Sequence, residues 1–163
     1  VVSAFFEIGS VYTQDLNKKG SLIKRGTDSY LLHHLNIKDI LDYDFITIGE
    51  ELLLRDFIVE FKKAHRNYFP VLNKEDQCVG VVFLDDIRPH LFDESLYDLV
   101  TMGSVMRSLP LISLNEPISD ALEKFETSKA WSLPVVDGDR FLGMLSKSTL
   151  FDHYRLELQI QAI

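Results

Sequence analysis

One block of this sequence occurs twice. Tyr68-Phe69-Pro70-Val71-Leu72-Asn73 returns 64 positions later as Ser132-Leu133-Pro134-Val135-Val136-Asp137. Each copy is followed by an apolar run around a glycine, Val79-Gly80-Val81-Val82-Phe83 and then Leu142-Gly143-Met144-Leu145-Ser146. Each is preceded by an apolar stripe, Leu54, Phe57, Ile58 and Phe61 and then Ile118, Ala121, Leu122 and Phe125. That spacing is the i, i+3, i+4, i+7 pattern of one helix face. A unit of roughly 55 residues buries little surface alone. Two such units are therefore expected to share a core, and a cleft between them is where a ligand would sit.

The first copy predicts a brief strand over Phe45–Ile48, a helix from Leu52 to His65 and a strand over Tyr68–Leu72. A polar turn, Asn73-Lys74-Glu75-Asp76-Gln77, leads to a strand over Cys78–Phe83, and a helix from Leu84 to Leu91 closes the unit, kinked or ended by Pro89. The second copy predicts a strand over Leu111–Leu114 and a helix start at Asn115-Glu116-Pro117. Its hairpin is joined by Asp137-Gly138-Asp139, a specific turn signal between apolar runs. A last helix runs from Lys147 to about Ile160 with Leu150, Tyr154 and Leu158 on one side. Ile37-Lys38-Asp39-Ile40-Leu41 reads as a short turn, with Ser104-Val105-Met106 as the counterpart of Lys38-Asp39-Ile40.

The fold class is α+β, two pseudo-symmetric β-α-β-β-α repeats packed through small sheets. Residues 1–35 form a helical lead-in, 36–92 the first repeat, 93–102 a linker and 103–163 the second repeat with its C-terminal helix. In the lead-in, Tyr12–Lys19 predicts a short helix stopped by Gly20, and Thr27-Asp28 caps a helix bearing Tyr30, Leu31, Leu32 and Leu35.

Composition narrows the function. Apolar residues make up 46 % of the 163 and charged residues 26 %, a globular balance. The net charge of -8 argues against a nucleic-acid partner, because phosphate contacts need clustered Lys and Arg. A lone cysteine, Cys78, excludes an intrachain disulfide and has no partner ligands. His33 and His34 are adjacent, and His65, His90 and His153 lie far apart, without metal-ligand spacing. Asp85-Asp86 has no visible partner base or nucleophile, and there is no P-loop, so no enzyme chemistry is expected. No apolar run approaches the ~18 residues that span a bilayer. Val1 to Phe6 is too short for that and lacks the basic start of a signal peptide. It reads as the end of something longer.

The element order, with Pro-Val-(apolar)-Asn/Asp and (apolar)-Gly-(apolar)-(apolar) blocks in both copies, resembles a tandem pair of CBS domains, the Bateman module, over about residues 36–155. A narrower resemblance lies before and inside the pair. Phe6-Glu7, Ser10-Val11-Tyr12-Thr13, Leu16 and Lys19-Gly20, with Leu84-Asp85-Asp86-Ile87-Arg88 and Phe151-Asp152-His153-Tyr154-Arg155, are similar to the cytosolic region of bacterial CLC-type chloride channels and antiporters. That resemblance implies a regulatory and dimerisation module at the cytoplasmic face of the cell membrane. Its partners would be a second copy, as a homodimer, and the membrane-embedded transport domain of the same chain. The alternatives are a CBS pair that senses a nucleotide for a soluble enzyme and a purely structural dimerisation module.

CBS pairs of this kind often bind AMP, ADP or ATP in the cleft, with a Gly-x-x-Thr/Ser-x-x-Asp pattern whose hydroxyl meets phosphate and whose carboxylate accepts from ribose. Here the first copy keeps Asp86 and has Phe83 at the hydroxyl position, while the second keeps Ser146 and has Thr149 at the carboxylate position. The resemblance implies a ligand site from Asp86 and Ser146, with Lys147 for a phosphate and Tyr68 and Leu133, beside Pro70 and Pro134, flanking an adenine. The same residues admit a structural reading, with Asp86 as a carboxylate at a helix N-terminus and Ser146 as a helix N-cap. Trp131 and Phe141 are read as core or subunit-contact residues.

Overall fold

A computed structural model describes residues 37–161. The lead-in helices expected around Tyr12–Lys19 and Tyr30–Leu35, and the apolar start at Val1–Phe6, lie outside those residues. The first repeat comprises α1 (Ile37–Ile40), β1 (Ile48–Gly49), α2 (Leu54–Phe61), β2 (Tyr68–Leu72), β3 (Cys78–Phe83) and α3 (Leu84–Ile87). The second comprises α4 (Met102–Val105), β4 (Ile112–Ser113), α5 (Ile118–Ser128), β5 (Ser132–Asp137), β6 (Arg140–Ser146) and α6 (Lys147–Gln161). The fold is thus α+β with two small sheets, and each repeat opens with a helical turn where the sequence predicts only a turn at Ile37. The helix expected from Leu84 to Leu91 ends at Ile87 and continues as a 3-10 turn over Arg88–His90, because Pro89 has no N–H for an α-helical bond.

Each sheet has three strands, ordered β1-β2-β3 and β4-β5-β6, with the first pair parallel and the second antiparallel. The registers match: Ile48 faces Val71 as Ile112 faces Val135, and a bulge follows Val71 as another follows Val135. Both central strands contain a proline, which is unusual because proline cannot donate to a ladder. The short first strands resolve this. β1 pairs only with Val71 and Leu72, and β4 only with Val135 and Val136, so Pro70 and Pro134 sit where one side of the central strand has no neighbour. The second hairpin turns through Gly138 at φ +60°, as a primed turn requires.

The helical stripes face the two cores, with Ile58, Phe61 and Leu122 only partly buried. Leu54 and Phe57 are fully buried, with Phe57 edge-on to Phe69 at 4.8 Å. Ile118, Ala121 and Phe125 are buried in the other repeat. The leading helices depart from the simple picture of two self-contained halves. Ile37 and Leu41 pack in the second core, with Ile112, Phe125, Leu133 and Leu145. Met102 packs in the first core, with Phe57, Phe69, Val71 and Val82.

Backbone bonds follow the same exchange. After α1, Asp42 and Met144 of β6 bond in both directions, at 2.7 and 3.1 Å. After α4, Arg107 and Val81 of β3 do likewise, at 2.9 and 3.0 Å. These crossings explain both repeated glycines. A Cβ on Gly80 would lie 2.7 Å from Met106 Sδ and 2.8 Å from the Arg107 carbonyl oxygen. A Cβ on Gly143 would lie 3.1 Å from the Asp42 carbonyl oxygen. The other repeat's leading segment passes over each glycine, leaving no room for a side chain at Gly80 and a tight fit at Gly143. No helix among the described residues is long and apolar enough to cross a membrane.

Candidate functional site

The two crossings create two related half-sites, each combining the end of a hairpin with the segment that follows the other repeat's leading helix. The first is built on β3 and α3. Phe83 ends the strand and Asp86 lies in the first turn of α3. Arg107, held alongside by its backbone bonds to Val81, donates twice to Asp86, Nε to Oδ2 and Nη2 to Oδ1, both at 2.6 Å. Its guanidinium also lies over the Phe83 ring, 5.0 Å from the centroid. The Arg107 hydrogen bonds, opposed by partial burial, hold the Asp86 carboxyl below its ordinary range. Phe83, which stands where the motif has a hydroxyl, thus supplies a platform for a cation.

The second half-site is different in chemistry. Ser146 Oγ accepts from the Thr149 backbone N–H at 3.1 Å and donates to Thr149 Oγ1 at 2.7 Å, so Ser146 caps α6 and the two hydroxyls satisfy each other. Lys147, only 12 % exposed, is held on the flank of its own repeat by Glu126 at 3.2 Å, with Trp131 and Phe151 rings each 5.8 Å away.

Tyr68 is half-buried, and its hydroxyl donates to Asp42 Oδ2. Arg66 donates to the same carboxylate at 2.7 Å through Nε and 3.3 Å through Nη2. The Arg66 hydrogen bonds, with those of Tyr68 and the Asp44 N–H and against the cost of burial, lower the Asp42 pKa to about 2. Burial, and then the bond to Asp42, push the Tyr68 hydroxyl up.

Pro70 and Pro134 are buried, paired across their hairpins with Val81 and Met144. Leu133 is placed otherwise than the motif suggests. It is 0 % exposed within the second core, because successive strand residues face opposite ways and Pro134 takes the other side. The positional counterpart of Tyr68 is Ser132, opposite Ser146 as Tyr68 is opposite Phe83. Trp131 is 65 % exposed rather than in the core, whereas Phe141 packs on Phe45 at 5.5 Å.

Asp42, Arg66 and Arg107 are not singled out by the sequence motifs. The repeat itself carried a signal, since Asp42 and Arg107 occupy equivalent places after α1 and α4 with opposite charge. A separate concavity of about 570 Å³ lies along α5, lined by Ser113, Glu116, Asp120, Glu123, Lys124 and Thr127. Its carboxylates disfavour a phosphate, and its one cation, Lys124, is already bound to Glu116 at 2.7 Å.

The CBS domain family model matches residues 37–93 and 102–155, one match on each repeat. The chain belongs to the CBS-domain family. Among solved structures, the pair is similar to the CBS domain of a bacterial CNNM/CorC family Mg2+ transporter in complex with ATP, at a TM-score of 0.64 and 17 % identity over 78 % of this chain and 92 % of that one. It is also similar to the CBS domains of a transcriptional regulator from Streptococcus pneumoniae, at a TM-score of 0.56 and 21 % identity over 72 % of this chain and 98 % of that one. At those identities the likeness concerns the fold. A curated relative, a homoserine O-acetyltransferase of Methanohalobium evestigatum, is 28 % identical over 151 residues, which is 88 % of this chain but 29 % of the relative. The CBS pair therefore matches less than a third of that protein's length. The narrower likeness to CLC-type channels is not supported by these relatives, which come from other kinds of protein.

Proposed function

We propose that this CBS pair is the regulatory module of a larger protein and that it binds one adenine nucleotide per chain in the half-site of Asp86. The observation that carries the reading is the convergence of Asp86, Arg107 and Phe83, which offers a hydroxyl acceptor, a phosphate donor and a ring within one patch. The other half-site has hydroxyls that bond each other and no carboxylate equivalent to Asp86. That a related fold holds ATP supports the ligand class. The module performs no chemistry of its own; it acts by binding the nucleotide better in one arrangement of its repeats than in another.

Two hosts are supported by different observations. A transport protein of the CLC type, with the pair as a homodimer at the cytoplasmic membrane face, rests on the resemblance in residues 6–20, 84–88 and 151–155. A soluble enzyme carrying the pair as an attached sensor rests on the homoserine O-acetyltransferase relative. The sequence preceding Val1 in the gene separates them: several long apolar runs favour the transporter, and a soluble catalytic domain favours the enzyme.

Titration calorimetry with AMP, ADP and ATP tests the ligand. The expected result is one site per chain, lost in Asp86→Ala and kept in Ser146→Ala. Absence of binding below millimolar concentration, with a ligand-free dimer, would instead make the pair a structural dimerisation module.

A further inference from the structure

Asp86 and Arg107 are the two groups a nucleotide would use, and in the structure they use each other. The pair is bidentate, with both distances 2.6 Å, and Arg107 is stacked on Phe83 besides. The Arg107 fork fills one acceptor position on each Asp86 oxygen, so a ribose hydroxyl that approaches from that side competes with Arg107 for the carboxylate, and Arg107 gives up Asp86 readily only to another anion. Both side chains are partly exposed, 57 % for Arg107 and 30 % for Asp86, so an incoming ligand can reach them. Arg88, which follows α3 in the 3-10 turn, is paired with Asp85 at 3.0 Å.

We propose that the Asp86–Arg107 ion pair is a latch that selects phosphorylated nucleosides over free nucleosides, the phosphate capturing Arg107 and thereby releasing Asp86 for the ribose. This rests on the nucleotide reading above and deepens it. The latch makes the two contacts conditional on each other. A nucleoside without phosphate must displace Arg107 with nothing to offer it, and a phosphate without ribose leaves the freed carboxylate without a donor. The carboxylate stays ionised throughout, so the exchange needs no proton transfer. In the second half-site the equivalent of Asp86 is Thr149, which is bonded to Ser146, so no latch exists there.

Arg107→Gln removes the cation and leaves a side chain of similar length. Calorimetry on wild type and this variant, with adenosine and AMP in parallel, tests the latch by a crossed result. Adenosine binding should tighten by about two- to fivefold, the scale of releasing one exposed ion pair. AMP binding should weaken by about ten- to a hundredfold, the scale of losing a charge-assisted phosphate contact. Circular dichroism of the variant checks that it is folded, and Arg107→Lys, which keeps the charge but not the fork, should fall between the two. If AMP binds the wild type and the variant loses or keeps both ligands equally, the latch is wrong and the nucleotide site stands. If neither ligand binds wild type or variant, the site and the latch both fall.

Discussion

Replacing Gly80 by alanine tests the crossing of the two repeats directly. The new methyl would lie 2.8 Å from the Arg107 carbonyl oxygen and 2.7 Å from Met106 Sδ. The sulfur can swing away, but the carbonyl is fixed by the two-way bond to Val81. Overpacking of this kind costs about 1–3 kcal/mol. Straining the two Val81–Arg107 bonds adds up to about 1 kcal/mol each. Alanine returns about 0.4–1 kcal/mol by restricting the unfolded chain. The net loss is about 2 kcal/mol, which at an m-value of about 2 kcal/mol/M lowers the urea midpoint by about 1 M. Gly143→Ala is the internal control. Its nearest contact is 3.1 Å, so a shift of a few tenths of an ångström suffices and the net effect should stay within about 1 kcal/mol. Circular dichroism and fluorescence of Trp131, the one tryptophan, should report the same midpoint in Gly80→Ala, although Trp131 lies in the other repeat. Equal stability of the two variants, or separate midpoints for the two probes, would refute the argument that each core is completed by the other repeat.

Two further outcomes are expected. Asp42 has a folded-state pKa depressed from 3.8 to about 2, so the stability it contributes is fully present above about pH 4 and is lost as pH falls toward 2; urea midpoints across that window should fall less steeply in Asp42→Asn than in wild type. Ser146→Ala removes the cap on α6 and should cost about 1 kcal/mol in urea denaturation with nucleotide affinity unchanged, and a loss of affinity there would put the ligand in the second half-site.

The parts of the fold that depend on local pattern were legible in the residues. Helix stripes at Leu54–Phe61 and Ile118–Phe125, the hairpin about Gly138 and the prolines of the central strands all follow from spacing and backbone chemistry. The destination of Ile37 and Met102 was not legible, since an apolar residue on a single helical turn fits either core equally well by sequence. The strands β1 and β4 are two residues each, and their pairing starts one residue after the prolines of the central strands, which have no N–H to donate to a ladder. In the site, Asp86 was visible through its place after Gly80, whereas its partner Arg107, 21 residues away, stands in no motif and is marked only by the repeat, as the counterpart of Asp42. Leu133 looked like a cleft residue because it stands beside Pro134, but strand alternation turns its side chain into the second core.

The placement of α1 and α4 carries an evolutionary consequence. A single copy of this unit cannot close its own core, since the helix that completes it arrives from a neighbour. A single copy on its own would need a second chain to lend it that first turn, as in a domain-swapped homodimer. Joining two such chains end to end would keep every one of those contacts while making them intramolecular, which raises their effective concentration without any new interface. The two halves are then free to differ in sequence, as they do at Asp86 and Thr149, at Phe83 and Ser146, and at Asp42 and Arg107.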